Sequence, residues 1–139
     1  MKMEINPYIS FNGQCEAAFK FYEQCLGGTN LSFHKYAGSP MADQMPPEWQ
    51  DKVMHATLIV GNTALMGADA PSSQYEGVKG CSISLSVDKP EDADRVFNAL
   101  AEGATVQMPI QQTFWTTRFG MLVDKFGIPW MVNCNQAPA

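Results

Sequence analysis

The sequence lacks several features that would assign it to a common class of protein. Its four cysteines include no Cys-x-x-Cys pair, so neither a structural zinc site nor a disulfide framework is expected. No apolar run approaches the roughly 18 residues of a membrane-spanning helix, and the first residues lack the apolar stretch of a signal peptide. We therefore expect a cytoplasmic protein with no membrane partner.

Positive charge is also scarce. Nine Lys and Arg residues stand against 14 Asp and Glu residues, which gives a formal net charge of -5. Because an acidic chain repels phosphate backbones, we do not expect nucleic acid to be a partner. The 139 residues, of which 45% are hydrophobic, predict a single globular domain over residues 1–139.

The strongest positive feature is an internal duplication. Amphipathic helices are predicted at about 13–26 and 89–102, and each ends at a glycine. A shift of 76 positions superimposes the two helices without a gap and places Phe21 on Phe97. Such self-similarity predicts a fold built from two copies of one unit.

Each copy contains a strand, a helix and three further strands. We place module one at about residues 4–69 and module two at about residues 80–135, with Asn12 and Asp88 as candidate helix N-caps. The last strands align by a shift of 65 and the third strands by a shift of 63, which places His55 on Arg118.

Polar side chains alternate with apolar ones along the first strand of each module. The apolar positions belong under the helix, so the polar ones face the other side of the sheet. If the sheet curves, that side becomes a cavity lined by Asn6, Tyr8, Ser10, Ser82, Ser84 and Ser86.

Six segments carry a resemblance to a known family. They are Pro7–Gly13, Ala18–Tyr22, Met54–Ala56, Leu65–Asp69, Phe114–Gly120 and Asp124–Trp130. The chain resembles the PhnB-like branch of the vicinal oxygen chelate superfamily, which includes glyoxalases, bleomycin-resistance proteins and extradiol dioxygenases. That branch is also labelled 3-demethylubiquinone methyltransferase-like.

The resemblance implies an α+β fold. In this fold two tandem βαβββ modules form a curved, mostly antiparallel eight-stranded sheet around a cavity for a small-molecule ligand. The resemblance also implies a homodimer. The methyltransferase label is disfavoured, since no strand is followed by the glycine-rich turn and helix that hold S-adenosylmethionine in the usual α/β fold.

Enzymes of the superfamily hold a divalent metal through the first and last strands of each module. The resemblance places these positions at Asn6, or Tyr8 if the register slips by two, and at Met66, Ser82 and Met131. None of them is His, Asp or Glu, the residue types that hold zinc, nickel or magnesium against water. We therefore expect no metal ligands and no cofactor.

Three polar residues are candidates for catalysis. His55 could act as a general base oriented by Asp69, or it could be a hydrogen-bonded structural residue. Arg118 could clamp a carboxylate, phosphate or phosphonate, or it could pair with Asp124 or Glu48 at a strand edge. Both readings stay open for each residue.

Four further residues are candidates for ligand binding: Tyr8, Ser82, Ser84 and Trp115. Together the candidates suggest a metal-independent lyase or isomerase that acts on an anionic metabolite. One alternative is a protein that binds an antibiotic or metabolite without converting it. Another is a metal-dependent glyoxalase-like enzyme that uses different ligands.

Overall fold

A computed structural model describes residues 2–71 and 73–139. The chain divides into two compact units, Met1–Gly77 and Val78–Ala139, and each contains one complete βαβββ module, as the duplication predicts. No helix in the described ranges is long and apolar enough to cross a lipid bilayer.

Module one has one helix on a four-stranded sheet. Its strand order is β1-β4-β3-β2, with β1 parallel to β4 and the other neighbours antiparallel. Two short 3-10 turns, Ala42–Gln44 and Pro47–Trp49, lie in the loop between β2 and β3. The elements are β1 Tyr8–Phe11, α1 Cys15–Leu26, β2 Thr29–Lys35, β3 Val53–Val60 and β4 Thr63–Asp69.

Module two repeats this arrangement. Its strand order is β5-β8-β7-β6, again with one parallel pair, β5 with β8. Its elements are β5 Ile83–Val87, α2 Pro90–Leu100, β6 Thr105–Gln111, β7 Phe119–Val123 and β8 Pro129–Cys134. The strands thus form two four-stranded sheets rather than the single eight-stranded sheet that was expected, because pairing within the described residues occurs only inside each module.

Each helix covers one side of its own sheet. In module one the Phe19 ring lies 6.0 Å from the Phe11 ring, and both side chains are buried. In module two Val96 and Phe97 of α2 are buried in the same way. Period-two alternation sends the intervening strand residues to the opposite side. We call that side the open face of the module.

The start of α1 differs from the prediction, whereas its end agrees with it. The helix begins at Cys15, and Gln14, not Asn12, is its N-cap residue without a capping side-chain bond. The N–H of Cys15 instead donates to Oδ1 of Asp69 at 2.9 Å. At the other end Gly27 takes a left-handed conformation, φ 68°, that suits glycine, and its N–H bonds Glu23 O at 3.1 Å.

The start of α2 differs from the prediction too. Lys89, not Asp88, is its N-cap residue, again without a capping side-chain bond. Asp88 accepts a hydrogen bond from Asn135 at 3.2 Å. The first turn of α2 contains Pro90, which suits that position because proline has no N–H to satisfy.

Strand register tests the internal alignment. Tyr8 pairs with Met66 across β1 and β4, and Ser84 pairs with Met131 across β5 and β8. The first members are 76 positions apart and the second members are 65 apart. Both predicted shifts are therefore confirmed by the structure.

The predicted shift of the third strands is wrong by one residue. Thr57 pairs with the methionine of β4 and Met121 pairs with the methionine of β8, so β3 and β7 correspond at a shift of 64 rather than 63. His55 therefore corresponds to Phe119 and not to Arg118. A slip of one residue reverses the face of every side chain in a strand.

Candidate functional site

A row of four side chains crosses the open face of module one. Each is the register partner of the next, so all four point to the same side of the sheet. The row is Tyr8, Met66, Thr57 and Ser32. Two further pairs lie on the same face, Ser10 with Ala68 and His55 with His34. Tyr8 is 53% exposed, so this face is open to a ligand within its module.

His55 contacts two members of this row. Its Nε2 lies 3.1 Å from Oγ1 of Thr57, and its ring centroid lies 5.8 Å from that of Tyr8. Because His55 and Thr57 are two residues apart on one strand, they share a face. The predicted candidates Tyr8 and His55 are thus brought together.

The phenol of Tyr8 remains protonated at neutral pH. Desolvation raises the pKa of Tyr8 above its ordinary value of 10.0, since it disfavours the charged form. Tyr8 can therefore donate a hydrogen bond to a ligand oxygen from the open face.

Asp69 lies on the opposite side of the sheet from His55. Its carboxylate accepts the N–H of Cys15 at 2.9 Å through Oδ1 and the N–H of Val53 at 3.0 Å through Oδ2. The side chain is only 2% exposed. The expectation that Asp69 orients His55 is wrong, because β4 directs this carboxylate toward the start of α1.

Arg118 likewise makes structural hydrogen bonds. Its Nε donates to Oδ1 of Asp94 on α2 at 2.9 Å, and its Nη1 donates to the carbonyl of Thr117 at 3.0 Å. Strand-edge pairing with an acid was one of the two predicted roles, but the partner is Asp94. Asp124, one of the two expected partners with Glu48, accepts hydrogen bonds from the N–H of Ile128 and from the indole of Trp130.

The open face of module two carries a row with different chemistry. Its four members are again successive register partners, namely Ser84, Met131, Met121 and Met108. Ser86 and Asn133 form the adjoining pair. Of the two serines predicted to bind a ligand, Ser84 belongs to this row, whereas Ser82 precedes β5 and is exposed.

Trp115 extends this second face. Its ring lies 5.2 Å from that of Phe119 and 4.9 Å from that of Phe114, and its Nε1 donates to Oδ1 of Asn133 at 3.3 Å. Trp115 is 46% exposed and Phe114 is 92% exposed. The indole therefore presents an aromatic surface beside polar groups, which is a common feature of ligand sites.

The register also bears on the expected metal positions. Tyr8, the alternative to Asn6, lies beside Met66, and Ser84 lies beside Met131, so these are the first-strand residues next to the two expected last-strand positions. None of these four side chains provides imidazole or carboxylate. Within residues 2–71 and 73–139, no three His, Cys, Asp or Glu side chains are grouped closely enough to hold a metal ion.

Two βαβββ modules of equal strand order, each with one helix-free sheet face, define a class of protein. The chain belongs to that class, the Glyoxalase/Bleomycin resistance protein/Dioxygenase superfamily, whose family model matches residues 4–132. Protein YjdN of Escherichia coli (strain K12) is 32% identical over 139 residues, which cover 94% of this chain and 95% of that protein.

Solved structures agree with this assignment. Protein PA1353 from Pseudomonas aeruginosa is 52% identical, with a TM-score of 0.88 over 97% of this chain and 99% of that chain. A PhnB protein from Bacillus cereus, described as a putative 3-demethylubiquinone-9 3-methyltransferase, is 24% identical, with a TM-score of 0.75 over 95% of this chain and 99% of that chain. The second likeness shows the fold alone.

Thr57, Phe119 and Asn133 contact predicted site residues on the open faces but were not themselves predicted. Period-two alternation could have identified two of them, because Thr57 lies two residues after His55 and Asn133 lies two residues after Met131. The contact between Phe119 and Trp115 could not be identified from sequence, since it depends on the course of the loop before β7.

Proposed function

We propose that this chain is a small-molecule-binding protein of the superfamily that works without a divalent metal at the inherited position. One observation carries the proposal, namely the set of side chains at the four register positions where the metal ligands are expected. These side chains are a phenol, a hydroxyl and two thioethers, from Tyr8, Ser84, Met66 and Met131. A ligand would have to be held by direct contacts, because neither module offers an imidazole or a carboxylate at these positions to hold zinc, nickel or magnesium.

The open faces provide hydrogen bonds and aromatic surface rather than positive charge. Tyr8 contributes a phenol on one face, and Trp115 with Asn133 contributes an indole and an amide on the other. Arg118, the candidate for binding an anion, is paired with Asp94. This supports an uncharged, partly aromatic ligand more than the anionic metabolite that the sequence suggested.

A neutral fluorescent probe tests the proposal. N-phenyl-1-naphthylamine should bind saturably to the wild-type chain, with the same affinity whether or not EDTA is present. Trp115→Ala should weaken binding by roughly two- to tenfold, the value of one aromatic contact. Trp49→Ala is the matched control, since Trp49 lies in the loop before β3 against Tyr36, and it should leave binding unchanged.

Two results would overturn the proposal. Failure of the wild-type chain to bind the probe saturably would remove the open faces as binding surfaces. One equivalent of zinc, nickel or iron in tag-free protein, with probe binding lost when EDTA removes that metal, would show that the ligand depends on a metal.

A metal-independent lyase or isomerase is the second candidate, and the geometry of His55 favours it. The imidazole lies within hydrogen-bonding distance of Thr57 and beside Tyr8, so one face holds a possible base and a possible proton donor. The test incubates the wild-type and His55→Ala chains with a metabolite extract. A mass change produced only by the wild-type chain would support the enzyme. Equal retention of a metabolite by both chains, without conversion, would support binding alone.

Two expectations stay predictions. We propose a homodimer because the family resemblance implies one, and sedimentation equilibrium should give about twice the 15.3 kDa chain mass. A cytoplasmic location rests on the sequence expectation alone.

A further inference from the structure

Two histidines lie side by side on the open face of module one. His34 of β2 and His55 of β3 are direct register partners in an antiparallel pair. Such partners point to the same side of the sheet, and their Cβ atoms are about 4.5–5.5 Å apart. The two histidines are 21 positions apart in the sequence, so their proximity follows only from the pairing of β2 with β3.

Both imidazoles can be approached from solvent. β2 is an edge strand of its sheet, and His34 is exposed there. His55 is half-buried, and its Nε2 lies 3.1 Å from Oγ1 of Thr57. With Nε2 held by the hydroxyl, Nδ1 is the nitrogen left for another partner.

We propose that His34 and His55 form a cross-strand chelating site for a divalent d-block cation. Imidazole nitrogen suits Cu²⁺, Ni²⁺ and Zn²⁺, whereas Mg²⁺ and Ca²⁺ prefer oxygen ligands. Cu²⁺ should bind most tightly of these, as the Irving–Williams order states. Water or an oxygen of a small molecule fills the remaining coordination positions.

Thr57 is the positioning residue of this site. Metal-bound histidines generally donate their second ring N–H to a neighbouring oxygen, which fixes the tautomer and the ring orientation. The hydroxyl of Thr57 can accept the Nε2–H of His55 and leave Nδ1 for the metal. Thr57→Val should therefore weaken Cu²⁺ binding while both imidazoles remain ligands.

The site is separate from the inherited metal positions. Those positions lie on β1 with β4 and on β5 with β8, whereas the histidine pair lies on β2 with β3. Its existence does not depend on the proposed small-molecule function. Copper is titrated without the probe, and N-phenyl-1-naphthylamine binding is measured in EDTA without copper, so failure of one proposal is distinguishable from failure of the other.

Titration of the tag-free full chain with Cu²⁺ tests the proposal. A Cys81→Ser background is used because Cys81 is exposed and its thiol would compete for copper. We expect one Cu²⁺ per chain by calorimetry, with a paramagnetic resonance spectrum split by two imidazole nitrogens. His34→Ala should weaken binding at least tenfold and leave one nitrogen in the spectrum.

Ser32→Ala is the matched control, since Ser32 lies on the same strand and the same face and should not affect copper. Equal affinity in the wild-type and His34→Ala chains would overturn the site, as would a spectrum without two imidazole nitrogens. His34 is exposed, so its variant should fold and decides the question even if His55→Ala does not fold.

Discussion

The open faces of the two modules carry matching rows of four register partners, and the side chains in these rows differ in kind. In module one the row contains a phenol, a thioether and two hydroxyls, from Tyr8, Met66, Thr57 and Ser32. In module two it contains one hydroxyl and three thioethers, from Ser84, Met131, Met121 and Met108. Since the two modules share one backbone arrangement, the side chains alone make one face polar and the other rich in flexible, polarizable thioethers.

The modules also differ where the last strand ends. In module one this place is occupied by Asp69, whose carboxylate accepts the N–H groups of Cys15 and Val53. The corresponding residue of module two is Cys134, whose carbonyl accepts the hydroxyl of Thr116. The same point of the fold is therefore held by a buried charge in one module and by neutral groups in the other.

The largest expected effect comes from removing that charge. Asp69→Ala should lower the free energy of unfolding by about 3–5 kcal/mol, because two buried N–H groups lose charge-assisted hydrogen bonds. Urea denaturation followed by circular dichroism measures the loss. Asp69→Asn keeps one acceptor and should lose about 1–3 kcal/mol.

Thr116→Val is the matched change in module two. It removes the neutral hydrogen bond to the Cys134 carbonyl and the longer 3.4 Å contacts of the same hydroxyl with Arg118 and Gln136, and it should cost about 1 kcal/mol. Equal losses for Asp69→Ala and Thr116→Val would contradict the view that the carboxylate anchors module one more strongly than the hydroxyl anchors module two.

A second contrast concerns the glycines beneath the helices. A Cβ added to Gly67 would lie 2.8 Å from the carbonyl oxygen of Ile9 and 2.9 Å from the Phe19 ring. At Gly120 it would lie 2.6 Å from the Phe97 ring. Each glycine-to-alanine change should cost about 1–3 kcal/mol through overpacking. Gly67→Ala should cost more, because a strand carbonyl cannot move aside as a ring can.

Double variants separate the two cases by urea denaturation. Phe97→Leu should recover part of the loss caused by Gly120→Ala, since the ring is the nearest obstacle. Phe19→Leu should recover less of the loss caused by Gly67→Ala, because the contact with the backbone oxygen remains. Equal recovery in both modules would show that the helix aromatic, rather than the strand, limits the space at Gly67.

Element order was predictable from sequence because it rests on local periodicity. The predicted helix at 89–102 is observed at Pro90–Leu100, and the predicted strand Val53–Val60 has the same bounds in the structure. Asn12 was a plausible cap by local rules, but the group that satisfies the start of α1 comes from Asp69, 54 residues away. Local rules cannot identify a partner that only the fold brings near.

The register of the third strands was the least predictable feature of the site. Alternation repeats every two residues, so a slip of one gives an equally regular pattern with the faces exchanged. That slip equated Arg118 with His55, whereas Arg118 precedes β7 and its partner is Asp94 of α2. The neighbours Tyr8 and His55 were both predicted, Tyr8 from the polar face of its strand and His55 from the chemistry of its imidazole.

The smallest expected change in the free energy of unfolding comes from the ion pairs that join each helix to its sheet. In module one Lys35 lies 3.4 Å from Glu16, and in module two Arg118 lies 2.9 Å from Asp94. All four side chains are more than one-third exposed, so each pair should contribute less than about 1 kcal/mol. A hydrogen bond from Lys20 lowers the pKa of Glu16 below its ordinary 4.5. The contribution of Glu16 is thus present at neutral pH and is lost as the pH falls through that lowered pKa.

Urea unfolding of Glu16→Gln and Asp94→Asn chains, near neutral pH and again at about pH 3, measures these contributions. At neutral pH each variant should lose less than about 1 kcal/mol, and added salt should shrink the difference from wild type. At the acidic pH the Glu16→Gln difference should diminish further, because the wild-type carboxyl is becoming protonated. Arg118→Ala should match Asp94→Asn if the pair is its whole role. Weaker probe binding by Arg118→Ala at unchanged stability would instead restore Arg118 as a ligand contact.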